Sequence, residues 1–115
     1  MILVALETSS FVAGIAVTDE DRVLVESSLQ VGTVFAEQLP VMLERALKDA
    51  DVPFDQVDGF AVSIGPGSYT GLRVGLSLAK GLAFTTGKPL VVVPTLDTIA
   101  LCTPFNKYPV QAVLD

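Results

Sequence analysis

The residues of this chain with the types and spacing to do chemistry lie in two short polar turns. One is Gly65-Pro66-Gly67-Ser68, which follows an apolar run and opens a long helical pattern; the other is Thr8-Ser9-Ser10, preceded by Glu7. Glycines free of Cβ crowding, a proline with fixed φ and a short hydroxyl let a backbone turn tightly and expose its N–H groups. The helix that follows brings partial positive charge to the same place, so the chemistry on offer is the holding of an anion such as phosphate. The spacing matches no standard fingerprint. A Walker-type loop needs Lys then Ser or Thr after its second glycine, whereas Gly71 is followed by Leu72 and Arg73, and Gly65, Gly67 and Gly71 give GxGxxxG instead of GxGxxG. A purely structural tight turn is the competing reading. If both turns emerge on one sheet edge, Thr8, Ser9 and Ser10 would face the same ligand as Gly65, Gly67 and Ser68; ordinary hairpin chemistry is the alternative. Glu7, a single carboxylate with no second ligand in view, does not make a metal site alone.

Much chemistry is excluded by composition. The 115 residues contain no histidine, which removes Ser-His-Asp and Cys-His catalysis and the HExxH zinc motif. Ser68 therefore has no histidine base, and GxSxG is absent around Ser63 and Ser68. Cys102 is the only cysteine, so no internal disulfide forms and a cytosolic setting is the default. The net charge of −6 argues against a nucleic-acid surface of the chain's own, since phosphate contacts need clustered Lys and Arg. No apolar window approaches the ~18 residues of a membrane span, and the chain opens on a strand pattern instead of a signal sequence.

The elements that must position the turns follow from periodicity. Ile2–Leu6, Val12–Val17 and the run from Val23 to Leu29 read as three antiparallel strands, with a hairpin turn over Asp19–Arg22. Thr33 is a candidate cap for a helix reaching about Asp51, in which Pro40 either kinks the first turns or marks the regular start. After a connector over Val52–Asp58, Phe60–Ile64 is a buried strand. Ser68 or Thr70 then caps a helix that ends at Gly87, before Pro89. Leu90–Val93 is another strand, Pro94–Leu101 a short helix capped by Thr95, Thr103–Pro109 a loop, and Val110–Asp115 the beginning of one more strand. A meander followed by βαβ units predicts a mixed sheet with helices on its faces, in one domain by length. An ending inside a strand pattern reads as truncation before further structure.

Glycine inside a helix costs ~1 kcal/mol relative to alanine, so Gly71 and Gly75 imply a need for bare backbone. With Ala79 they fall four apart on one face, and the expectation is a shallow groove that a partner approaches closely. Arg73 would neutralise an anion there or pair with an acid such as Glu37.

These segments resemble a known family. MILVALETSS at Met1–Ser10, FAEQLP around Glu37–Pro40, GPGSYTGLR at Gly65–Arg73, the AKGL that ends at Leu82 and PLVVVPTLDTIA at Pro89–Ala100 are similar to the TsaB (YeaZ) family. The resemblance implies a bacterial, cytoplasmic protein with the actin-like, Hsp70-like (ribonuclease H-like) α/β fold, residues 1–115 being its N-terminal lobe, with a mixed five-stranded sheet. It implies a non-catalytic subunit that pairs with a metal-bearing TsaD-type paralogue, and through the complex with a TsaE-type ATPase, to place threonylcarbamoyl on adenosine 37 of tRNA. Contact with tRNA would come only through that complex, and a homodimer would compete for the same surface. The resemblance carries over Glu37, Leu39, Leu43, Gly71, Leu72, Arg73, Gly75, Leu76 and Ala79 as interface positions. It firmly implies no cofactor; ATP and magnesium would belong only to an interface or a complete two-lobe site. The chain departs from the family pattern at Glu7, usually Asp, at Phe35, often His, and at Tyr69, commonly Phe. The competing class is a lobe of a nucleotide-dependent actin-like kinase or of a dinucleotide-binding enzyme; the opening meander opposes the latter.

Overall fold

The computed structural model describes residues 1–20, 22–30 and 35–95. Strands β1 (Ile2–Glu7), β2 (Val12–Asp19) and β3 (Arg22–Gln30) form the expected meander, with Leu6 opposite Ile15 and Val4 opposite Val17. A register shift at Val17/Thr18 and a left-handed Glu20 (φ 52°) turn the hairpin between β2 and β3. Strand β4 (Gly59–Ser63) lies parallel to β1, and β5 (Leu90–Val93) parallel to β4, so the sheet order is β3-β2-β1-β4-β5. Asp58 fixes this crossover: its carboxylate accepts from Ile2 N at 2.6 Å and its own N–H donates to the Ile2 carbonyl at 2.8 Å.

Strand alternation sends Val4, Leu6, Ala13, Ile15, Val17, Phe60 and Val62 to one face, where they are buried. Helix α1 (Phe35–Asp49) lies on β2 and β3, and α2 (Tyr69–Thr86) lies on β4 and β1, closing one core with Phe35, Leu39, Leu43, Ala46, Leu47 and Ala79. Pro40 stands inside α1, which begins at Phe35; of the two readings of this proline, a start at Pro40 is excluded. Strand β4 ends at Ser63, one residue earlier than the apolar run suggests, and Ile64 is largely exposed. Ser68, not Thr70, caps α2 by accepting from Gly71 N at 3.3 Å, and Gly87 ends it with φ 69°. The connector contains a 3-10 turn at Phe54–Gln56, with the Phe54 ring 6.2 Å from that of Phe60. Thr33, most of the Pro94–Leu101 helix, Cys102, the Thr103–Pro109 loop and the Val110–Asp115 strand lie outside the described residues.

Candidate functional site

Both polar turns emerge at the ends of β1 and β4, as expected, but they close on each other. The Ser68 N–H donates to the Ser9 carbonyl at 2.7 Å. A Cβ at Gly67 would fall within 3.0 Å of Ser9, which is why that position is bare. The Glu7 carboxylate gathers the inner hydroxyls: it accepts from Ser9 N at 2.9 Å, from Ser9 Oγ and from Ser63 Oγ. Ser9 and Ser63 are buried, and so is Thr8. Of the set Thr8, Ser9, Ser10, Gly65, Gly67 and Ser68, Thr8 and Ser9 are buried while Ser10, Gly67 and Ser68 are exposed. The Ser9 hydroxyl serves Glu7, Ser68 Oγ serves the helix cap, Thr8 turns toward α2, and of the first turn's three hydroxyl residues Ser10 alone is exposed. Glu7→Ala would leave the buried Ser9 and Ser63 groups without their acceptor. We expect a loss of about 2 kcal/mol in urea unfolding, and an unchanged midpoint would show that the cluster contributes nothing.

The glycine row of α2 also faces inward. A Cβ at Gly71 would come within 3.0 Å of the Thr8 carbonyl oxygen, and one at Gly75 within 3.0 Å of Thr8 Oγ1. The bare backbone inferred from glycine cost is real, yet the chain's own β1 end occupies it. Gly71, Gly75 and Ala79 are buried within the chain and are corrected from partner-facing positions to an internal contact. Leu72 packs toward Gly65, and Leu76 against the core.

What remains open is the surface between the two helices. A groove of about 500 Å³ is lined by Ala36, Leu39, Pro40, Thr70, Arg73, Val74, Ser77 and Leu78. It continues past Pro40 and Leu78 into a second depression of about 420 Å³ bounded by Leu43, Leu47, Phe54 and Leu82. Leu39 and Leu43 form its floor and Arg73 is exposed at its end, while Glu37 lies on the other side of α1 with Leu29, Met42 and Arg45. Arg73 makes no ion pair with Glu37; its guanidinium lies 5.5 Å from the centre of the Tyr69 ring. Val74 and Leu78 were not singled out from the sequence, and Pro40 only as an irregularity of its helix. The signal was present, because α2 carries apolar residues over a wider arc than its glycine-centred buried face requires.

Among the described residues no three His, Cys, Asp or Glu side chains come together. No helix among them is long and apolar enough to cross a membrane.

The family described as TsaD, tRNA N6-adenosine threonylcarbamoyltransferase, matches residues 30–115. The chain is 34% identical over 100 residues to the tRNA threonylcarbamoyladenosine biosynthesis protein TsaB of Bacillus subtilis, covering 87% of this chain and 44% of that protein. Among solved structures, YeaZ from Pseudomonas aeruginosa superposes with a TM-score of 0.80 at 31% identity, over 86% of this chain and 46% of that one. The ROK hexokinase from Thermus thermophilus superposes with a TM-score of 0.60 at 23% identity, over 89% of this chain and 36% of that one, a likeness of fold alone. The chain thus spans less than half the length of these relatives. The mixed five-stranded sheet with its helices is the actin-like, ribonuclease H-like fold.

Proposed function

The chain belongs to the tRNA N6-adenosine threonylcarbamoyltransferase (TsaD) family, with TsaB (YeaZ) proteins among its relatives, and on that premise we infer that it serves tRNA threonylcarbamoyladenosine formation as a non-catalytic partner subunit. The observation that carries this reading is the open groove between α1 and α2, whose apolar lining of Pro40, Val74 and Leu78 has no covering element among the described residues. Apolar surface left in a groove with polar ends suits a docking helix pair. The partner we assign is a TsaD-type subunit. A TsaE-type ATPase and tRNA would join through that subunit, since α1 and α2 bring no basic cluster of the kind that holds nucleic acid. The reactive step, with its metal, falls to the partner; this chain orients and stabilises it. The kinase-lobe alternative is not favoured, because the hexokinase likeness speaks for fold only.

Light scattering after size exclusion tests the pairing. The full-length chain mixed with a purified TsaD-type subunit should elute as one species with the summed mass. Two unmixed peaks at concentrations of about 10 µM would contradict the reading.

A further inference from the structure

We propose that the ends of β1 and β4 form a small-anion site whose occupant is the chain's own Glu7 carboxylate. The wild-type site is closed to free carboxylates and to phosphate, and it opens when that side chain is cut back. The inference stands apart from the docking role of α1 and α2.

A carboxylate or phosphate is recognised by N–H and O–H groups that converge on its oxygens from more than one side. That arrangement surrounds Glu7. One carboxylate oxygen accepts from the Ser9 N–H at 2.9 Å and from the Ser9 hydroxyl, and the other accepts from the Ser63 hydroxyl. These donors come from two elements, the turn after β1 and the last residue of β4, which the parallel pairing of Leu6 with Val62 sets side by side. Ser9 is 5% exposed and Ser63 4%, so neither hydroxyl can turn to bulk water when its acceptor is lost. Glu7 itself is partly exposed. Ala5, Gly14 and Ala16, all small, border a cleft of about 120 Å³ beside it, and even a Cβ built on Gly14 would stay 3.9 Å from the Glu7 Cβ. A small ion thus has a path to the donors.

The neighbours also decide which ion fits. Truncation of Glu7 to alanine removes one methylene and the carboxyl group, which together have the shape of acetate. Glu26 lines the same cleft and repels an anion, so the opened site should bind in the millimolar range and disfavour polyanions. Two donors of the second turn are engaged within the chain: the Ser68 N–H donates to the Ser9 carbonyl and the Gly71 N–H to Ser68 Oγ. The anion that these turns hold is intramolecular, and a phosphate-bearing ligand has no vacancy here.

Urea unfolding and amide NMR spectra of the full-length chain test the closure in four proteins. They are wild type, Glu7→Ala, Glu7→Gln, which keeps the space filled, and Glu7→Ala/Ser63→Ala, which removes a donor. Each is measured in about 0.1 M sodium acetate and, to cancel screening, in sodium chloride of equal strength. We expect acetate to restore at least about half of the urea midpoint lost in Glu7→Ala and to shift its Ser9 amide saturably. Wild type and Glu7→Gln should show neither effect, and the double variant should bind acetate at least about tenfold more weakly than Glu7→Ala. If Glu7→Ala does not fold in chloride, folding in acetate supports the site. A Glu7→Ala chain that acetate affects no more than chloride, or that stays unfolded in both, overturns the proposal. Rescue of Glu7→Gln, undiminished binding in the double variant, or a wild-type Ser9 amide that titrates with about 20 mM inorganic phosphate overturns it as well.

Discussion

Gly71→Ala is expected to destabilise the fold by about 2 kcal/mol net, although alanine is the better helix former. The added methyl gains about 1 kcal/mol in helix propensity. It also meets the backbone carbonyl of Thr8 at the end of a central strand, an atom that cannot rotate away, and overpacking of that kind costs about 3 kcal/mol. Gly75→Ala meets a different obstacle, the Thr8 hydroxyl. That hydroxyl is buried with no hydrogen-bond partner among the described residues, so removing it is cheap. Thr8→Ala should therefore rescue Gly75→Ala to within about 1 kcal/mol of wild type and leave Gly71→Ala unrescued, a coupling of the sort double-mutant cycles isolate. Urea unfolding of wild type, the three single variants and the two double variants measures it. Equal rescue of both glycines, or a stabilised Gly71→Ala, would show that β1 does not sit against this face.

Leu78→Glu is expected to abolish docking of a TsaD-type subunit, weakening it by at least about a hundredfold, or about 3 kcal/mol. Leu78 lines both halves of the groove, so a carboxylate there would be buried at the centre of any contact without a partner. In the free chain the residue is only partly buried, and the fold should survive with a loss of about 1 kcal/mol. Titration calorimetry against the partner, with a melting curve as control, separates the two effects. Unchanged affinity in a folded variant would move the docking site away from this groove.

The two glycines show how far sequence reasoning reached. Their helix cost announces a close approach, and close approach is what Gly71 and Gly75 make; only the identity of the approaching group was hidden, because Thr8 lies more than sixty residues earlier in the chain. The apolar runs Ile2–Leu6 and Val12–Val17 marked the first two strands, and the meander was legible from the runs and the polar turn at Asp19–Arg22. Pro40 was ambiguous, since proline is tolerated in a first turn and disruptive within a helix, and only packing of Phe35 and Leu39 decides that α1 starts before it. The turn hydroxyls misled for another reason. Ser9 has the residue type of a ligand contact, but its hydroxyl serves the Glu7 carboxylate two residues away, in a cluster that Ser63, 56 residues from Glu7, completes only through strand pairing. Val74 and Leu78 were overlooked because an apolar helix position reads as core until the buried face has been assigned.

Our proposal is that this chain assists a transferase without being one. Its most direct test is threonylcarbamoyl transfer to tRNA, measured with the full-length chain alone, with the TsaD-type subunit and its ATPase, and with all components together. We expect no product from the chain alone and a rise in turnover when it completes the mixture, a rise lost with Leu78→Glu. Product formed by the chain without the TsaD-type subunit, or turnover indifferent to its addition, would contradict it.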